Sequence, residues 1–260
     1  MLTKAFIPYG GYYSSPFARW QGTLANENSI KTGAATAKRW VAEKGWDPQM
    51  IDYLFMGITV GQHYDFYGST WAAHLMGIGH VPGVTLMKAC STSTTSIYQA
   101  AVGVENDVMQ APFCLMTDRV SNGPHTIWPN PNGPGAKVES EDWVMDHFGY
   151  DPTAKGAMIQ TAENVSSEAG ITREQCDAVA LKRYEQYTDA LAEDRAFQKR
   201  YMFPVEVALS RKKTVMFEAD EGVFPTTAEG LAKLKPVLPD GVHTFGAQTH
   251  PADGNMGIIV

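Results

Sequence analysis

Three short, nearly continuous apolar runs dominate the first half of this sequence, and segments of helical periodicity separate them. The runs are Tyr53 to Val60 (YLFMGITV), Val81 to Ala89 (VPGVTLMKA) and Ala111 to Met116 (APFCLM). Runs of this length fit strands buried on both faces. Between them, Thr70 to Gly79 and Ser91 to about Val104 read as helices. Strands that alternate with helices predict an α/β sheet covered on both sides. Ahead of the runs, residues 4–9 read as a first strand ending at Gly10-Gly11. Asn28 is placed to cap a helix from about Ser29 to Lys44, with Ile30, Ala34, Ala37 and Val41 at helical spacing and Gly45 as its stop.

The character changes at Val120. The stretch SNGPHTIWPNPNGPGAKVES is rich in Gly, Pro and Asn and lacks periodicity, so it reads as a long functional or mobile loop. A helix follows over Thr161 to Ala169. A second helix starts at the capping-box pattern Thr172-Arg173-Glu174-Gln175 and runs to about Glu193. Val205 to Asp220 reads as a two-stranded excursion, Thr227 to Leu234 as helix, and the stretch from Val242 as strand, turn, strand. The expected organisation is an α/β core over 1–119, an inserted loop subdomain over 120–240, and a return to the core sheet over 241–260. The last residues, Gly257-Ile258-Ile259-Val260, read as a buried strand. A fragment, or a chain completed by a partner chain, is expected.

Composition narrows the function classes. Apolar residues make up 44% and charged residues 19%, ordinary for a globular chain. A net charge of −7 without a Lys/Arg block argues against nucleic-acid binding. No run of about 18 apolar residues exists to cross a membrane, and the first residues lack a signal-peptide layout. Cys90, Cys114 and Cys176 form neither a CxxC pair nor a Cys/His zinc pattern, and none of the seven histidines pairs at metal-ligand spacing. No metal and no tightly bound cofactor are expected. The odd, scattered cysteines point to a reducing, cytoplasmic setting.

Cys90 is the candidate nucleophile. It falls between a predicted strand and a predicted helix, where unpaired N–H groups and the positive end of the helix dipole favour a thiolate and an oxyanion. Its neighbours Ser91 to Thr95 are small and polar, which lets a substrate approach. The competing reading of any single Cys is a small packing residue. That reading is preferred for Cys114, inside an apolar strand, and for Cys176, on an amphipathic helix.

The ordered set of blocks along the chain resembles the thiolase family. Lys88-Ala89-Cys90-Ser91-Thr92-Ser93 resembles its nucleophile segment, and Ala157 to Val165 (AMIQTAENV) resembles HMGxTAENV. ITREQCDAVALKRY is similar to the LSRDEQDAFAxxS helix, Glu218-Ala219-Asp220-Glu221 to DADE, and Leu231 to Pro236 to MAKLRP. Gly241 to Val260 resembles GTVTAGNASGxNDGAAAVVL, the end of the family's N-terminal half. The resemblance implies one αβα-layered half with a mixed sheet and an inserted loop domain. It implies acyl transfer by thiolytic cleavage or Claisen condensation of acyl-CoA, with coenzyme A thioesters as substrates and Cys90 carrying the acyl group. It places Arg211 near the CoA nucleotide, Val237 and Leu238 at the adenine and pantetheine contact, Thr249 at pantetheine, and Met158 beside the acyl pocket. It also implies a homodimer or higher oligomer.

Some positions depart from the pattern. Thr117 to Gly123 replaces GGMESMS, Ala157 stands where the family carries His, and the turn after Cys90 is Ser/Thr-rich rather than Gly-rich. The family's catalytic His (in GHP) and second Cys (in CxGGG) belong to its C-terminal half. The alternative expectation is therefore a non-catalytic thiolase-like subunit or scaffold that works with a partner chain. A stand-alone cysteine hydrolase lacks a legible Cys–His pair. His125 and His250 read as structural, and Trp128, Trp143, Phe148 and Tyr150 as packing for the subdomain or a dimer contact.

Overall fold

The computed structural model describes residues 2–210 and 212–260. The chain divides into two compact units. The first takes Met1–Gly123, Lys199–Gly222 and Pro251–Val260; the second takes Pro124–Gln198 and Val223–His250. Residues 199–222, expected in the inserted subdomain, thus cluster with the first unit.

The strands are β1 (Tyr12–Ser14), β2 (Ala18–Arg19), β3 (Tyr53–Gly57), β4 (Gly83–Leu86), β5 (Pro112–Asp118), β6 (His125–Pro129), β7 (Val138–Asp142), β8 (Val205–Ser210), β9 (Lys213–Phe217) and β10 (Ala252–Ile259). The helices are α1 (Ser29–Glu43), α2 (Gly68–Met76), α3 (Thr92–Glu105), α4 (Met145–Gly149), α5 (Met158–Ala169), α6 (Arg173–Ala190), α7 (Ala192–Arg195) and α8 (Ala228–Ala232).

In the first unit, one mixed sheet runs in the order β1-β10-β5-β3-β4, with β2 also paired to β10. β3 is parallel to both β4 and β5, with Leu54 opposite Phe113 and Phe55 opposite Val84. β10 is antiparallel to β5 and to β1. Alternate side chains leave opposite faces of the sheet. Leu54, Met56, Phe113 and Leu115 therefore pack under Ile30, Ala34, Ala37 and Val41 of α1 and Ala72, Ala73 and Met76 of α2. Phe55, Cys114, Met116 and Ile258 join Ala100 and Ala101 of α3 on the other side. The sheet is thus sandwiched between helices, as the continuous apolar runs predict. Each fully buried Leu, Ile or Phe contributes roughly 1.5–3 kcal/mol.

Local signals set the helix ends. Asn28 Oδ1 accepts from the Lys31 N–H at 3.1 Å, capping α1. Gly45 follows the helix with φ +68°, and its N–H donates to Ala42 O. The β8–β9 hairpin buries Val205, Val207 and Phe217 against Ala18 and Leu24.

Residues 4–9 form no strand. The N–H groups of Thr3, Lys4 and Ala5 donate to the Glu105 carboxylate at the end of α3 instead of to a neighbouring strand. The edge position goes to β1, eight residues later than the expected start.

The second unit begins with the antiparallel β6–β7 pair, inside the segment read as irregular loop. Trp128, Phe148 and Tyr150 are about half exposed and do not pack a core; Trp128 Nε1 donates to Glu141 Oε2 at 2.8 Å. α5 ends at Gly170 (φ +65°), and α6 opens with a complete capping box. In that box the Thr172 N–H donates to Gln175 Oε1 at 2.8 Å, and the Gln175 N–H donates to Thr172 Oγ1 at 3.3 Å. The expected strand just after Val242 is absent. Residues Phe245–Ala247 form a short 3-10 turn held by Thr244. No helix among the described residues is long and apolar enough to cross a membrane.

Candidate functional site

Cys90 sits in a single tight turn between β4 and α3. The turn bends at Ala89, whose φ of +46° lies in the left-handed region. A non-glycine residue there costs roughly 1–2 kcal/mol, so neighbouring bonds must hold the bend. The Lys88 N–H donates to Thr92 Oγ1 at 2.8 Å, and the Thr92 hydroxyl donates to Ala89 O at 2.8 Å. Ser91 Oγ and the Ser91 N–H both donate to Lys88 O, and Ser96 Oγ donates to Thr92 O. The Ser/Thr-rich sequence after the cysteine is therefore the clamp of this turn. Cys90 itself is exposed. A thiol held on a clamped, strained turn ahead of a helix can meet a substrate carbonyl, with backbone donors of the first turn close by.

The other two cysteines differ. Cys114 is fully buried in β5, and burial pushes its thiol up to about 12. Cys176, expected to be a packing residue, instead lines a cleft of about 810 Å³ within the second unit. The cleft lies between α5, α6 and residues 243–249. Met158 and Thr249, the two residues expected at the acyl group and at pantetheine, both line it.

The remaining expected contacts are not gathered there. Leu238 borders a separate hollow of about 380 Å³ with Glu163 and Gly241. Val237 is tied to the next segment through its N–H, which donates to His243 O at 2.9 Å. Arg211 lies outside the described residues. His125 is exposed on β6, with Nε2 3.8 Å from Asp142 Oδ2. Among the described residues, no group of three or more His, Cys, Asp or Glu is placed to hold a metal.

Reading along the chain missed one cluster. Cys176 Sγ lies 3.9 Å from His243 Nε2, and His243 Nδ1 lies 3.2 Å from Glu163 Oε1. Glu163 Oε1 is already aimed at the His243 backbone N–H (2.9 Å), and Oε2 accepts from the Val242 N–H at 3.0 Å. The ring contact at Nδ1 is therefore electrostatic rather than a well-aligned hydrogen bond. Burial opposes ionisation of Glu163. The two backbone donors and the His243 ring outweigh it and hold the carboxyl below the usual range. Burial raises the Cys176 thiol, and the Asp177 and Glu163 carboxylates raise it further, against the Arg173 guanidinium.

A family model described as "Thiolase, N-terminal domain" matches residues 11–260. Human mitochondrial 3-ketoacyl-CoA thiolase is 27% identical over 254 residues, covering 95% of this chain and 62% of the relative. The acetyl-CoA acetyltransferase of Escherichia coli is 28% identical over 255 residues, covering 93% and 62%. Among solved structures, human mitochondrial 3-ketoacyl-CoA thiolase in complex with CoA superposes with a TM-score of 0.85 at 26% identity, covering 96% of this chain and 63% of that one. The Bacillus anthracis acetyl-CoA acetyltransferase gives 0.85 at 25% identity, covering 99% and 66%. This chain thus spans about 62% of the length of the curated relatives it matches.

Proposed function

Because the chain belongs to the thiolase family, through that family's N-terminal domain, we propose that it serves thiolase-type acyl transfer, with Cys90 holding the acyl group as a thioester. The observation that carries this reading is the Cys90 turn: an exposed thiol at a strained, side-chain-clamped junction of strand and helix. Cys90 Sγ attacks the carbonyl carbon of an acyl-CoA, the carbon–sulfur bond to coenzyme A breaks, and the departing thiol takes up the proton. In Claisen condensation the carbanion of a second acyl-CoA then takes the acyl group. In thiolysis Sγ instead attacks the 3-keto carbon of a 3-ketoacyl-CoA, its Cα–Cβ bond breaks to release the shorter acyl-CoA once the carbanion is protonated, and a CoA thiol takes the acyl group from Sγ. The base and acid for these steps come from the family's other half, by resemblance.

Met158 faces the acyl group and Thr249 the pantetheine arm; their shared place on one cleft supports both assignments. Arg211, Val237 and Leu238 hold the nucleotide end of coenzyme A. The working form is a cytoplasmic homodimer or higher oligomer.

A second reading, a thiolase-like subunit without turnover of its own, is favoured by Ala157. It stands where the family carries His, and it caps α5 without a side-chain hydrogen bond. One experiment separates the two. Purified protein is mixed with acetyl-CoA, and both free CoA and the mass of the polypeptide are followed. Acyl transfer predicts CoA release with an acetyl adduct that digestion maps to the Cys90 peptide in wild type and that is absent from that peptide in Cys90→Ala. Wild-type protein that forms no adduct would establish the non-catalytic reading.

A further inference from the structure

In the second unit a thiol and an imidazole line the cleft, and a carboxylate that borders the neighbouring hollow backs the imidazole; none of them is part of the Cys90 turn. The order is Cys176 Sγ, His243 Nε2 at 3.9 Å, then His243 Nδ1 with Glu163 Oε1 at 3.2 Å. We propose that Cys176 is a second acyl-accepting thiol, which takes the acyl group of a small-molecule acyl thioester seated in this cleft, with His243 as its proton acceptor. This rests on the reading that the protein handles acyl thioesters, but it concerns a different sulfur and a different base.

Nucleophile, base and orienting carboxylate in sequence are the arrangement that activates a weak nucleophile. Activation is needed here, because burial and the neighbouring carboxylates keep Cys176 protonated at rest. Glu163 is fixed by the Val242 and His243 N–H groups, so its charge faces Nδ1 and favours the tautomer with the proton there. That leaves Nε2 free to accept the thiol proton. The His243 and Glu163 side chains are only 16% and 12% exposed, which shields the pair from water. The cleft, about 810 Å³, is in the range of small-molecule sites. Met158, Val165 and Val179 offer an apolar wall for an acyl chain, and Gln248 and Thr249 offer polar groups for an amide-bearing arm.

The step is a thioester exchange without redox change. Sγ bonds to the carbonyl carbon as its proton passes to Nε2. The carbon–sulfur bond of the incoming thioester then breaks, and the departing thiolate recovers the proton from Nε2.

The test is incubation with excess octanoyl-CoA, acid quench, digestion and mass mapping of octanoyl groups on each cysteine. The comparison set is wild type, Cys90→Ala, His243→Gln and Glu163→Gln. Octanoylation of Cys176 is expected to persist in Cys90→Ala. It is expected to slow about 100-fold in His243→Gln with unchanged circular dichroism. Glu163→Gln, which keeps the side-chain shape and one of the two oxygens that accept from the Val242 and His243 N–H groups, is expected to slow it at least ~10-fold with unchanged circular dichroism, and it carries the test if His243→Gln misfolds. Label on Cys90 alone would overturn the proposal and leave the thiolase reading intact. Label on neither cysteine would overturn both. Label on Cys176 at the wild-type rate in both His243→Gln and Glu163→Gln would also overturn it.

Discussion

Gly33 on α1 approaches Thr117 on β5 so closely that a β-carbon on residue 33 would stand 2.7 Å from Thr117 Oγ1. That hydroxyl cannot easily turn away, since it donates to Ser29 O at 2.6 Å and the residue is 2% exposed. Gly33→Ala is therefore expected to destabilise the fold by about 1–3 kcal/mol, although Ala is the better helix former. Urea unfolding measures this; a stabilised variant would mean that helix and sheet can part without cost.

The bend at Ala89 gives an opposite expectation for a glycine. Ala89→Gly removes the left-handed strain (φ +46°) and is expected to leave stability unchanged or raise it by up to ~1 kcal/mol. Ala89→Val, with a branched β-carbon at the same φ, is expected to cost about 1–2 kcal/mol. If the turn positions Cys90, both variants slow its acylation, and an acyl-adduct time course would reveal this.

Glu105 ties the first residues to α3. The Lys4 N–H, the Thr3 hydroxyl and the Thr3 N–H together hold its carboxyl down at about 2. A carboxyl depressed on folding stabilises the attachment above its unfolded value, near 4.5, and that contribution is lost as pH falls through about 2. The carboxyl ¹³C shift of Glu105 should titrate with a midpoint near 2. Glu105→Gln should release the amide protons of residues 3–5 to exchange at neutral pH.

Thiol reactivity should rank by burial. Iodoacetamide at pH 8 is expected to alkylate Cys90 first and leave Cys114 untouched until the sheet unfolds. Cys114 also predicts alkaline weakening. Its raised thiol favours the folded state below the ordinary value of 9, and that preference is lost as pH rises from 9 towards about 12. Cys114→Ala should flatten this part of the stability curve, as read by denaturant titration across that range.

What could be read along the chain was local or repetitive. Asn28, Gly45 and the Thr172 capping box act on neighbours within four residues, and the structure places all three as expected. The runs at β3 and β5 were legible because both of their faces are buried, whereas β4, at the sheet edge, is only partly buried. The Cys90 turn was legible as a junction of strand and helix, but not its bend at Ala89. Residues 4–9 misled because their apolar character says nothing about a partner; Phe6 is 72% exposed. The Cys176 cluster stayed hidden for the same reason. Its residues lie 67 and 80 positions apart, and no periodicity links α6, α5 and the turn after Gly241.

The place of β10 in the sheet has a consequence for the order of synthesis. It lies between β1 and β5, and Tyr13 Oη donates to Asn255 Oδ1 across 242 positions of sequence. As the chain emerges from the ribosome, β5 must wait with one edge unpaired while the whole second unit is made; Val120 and Asp253, which meet there, are 133 residues apart. At ordinary translation rates that interval is on the order of ten seconds. During it, the edge formed by Phe113 to Met116 is open to any strand that finds it, so a nascent-chain chaperone is expected to matter more for this sheet than for the helices that cover it.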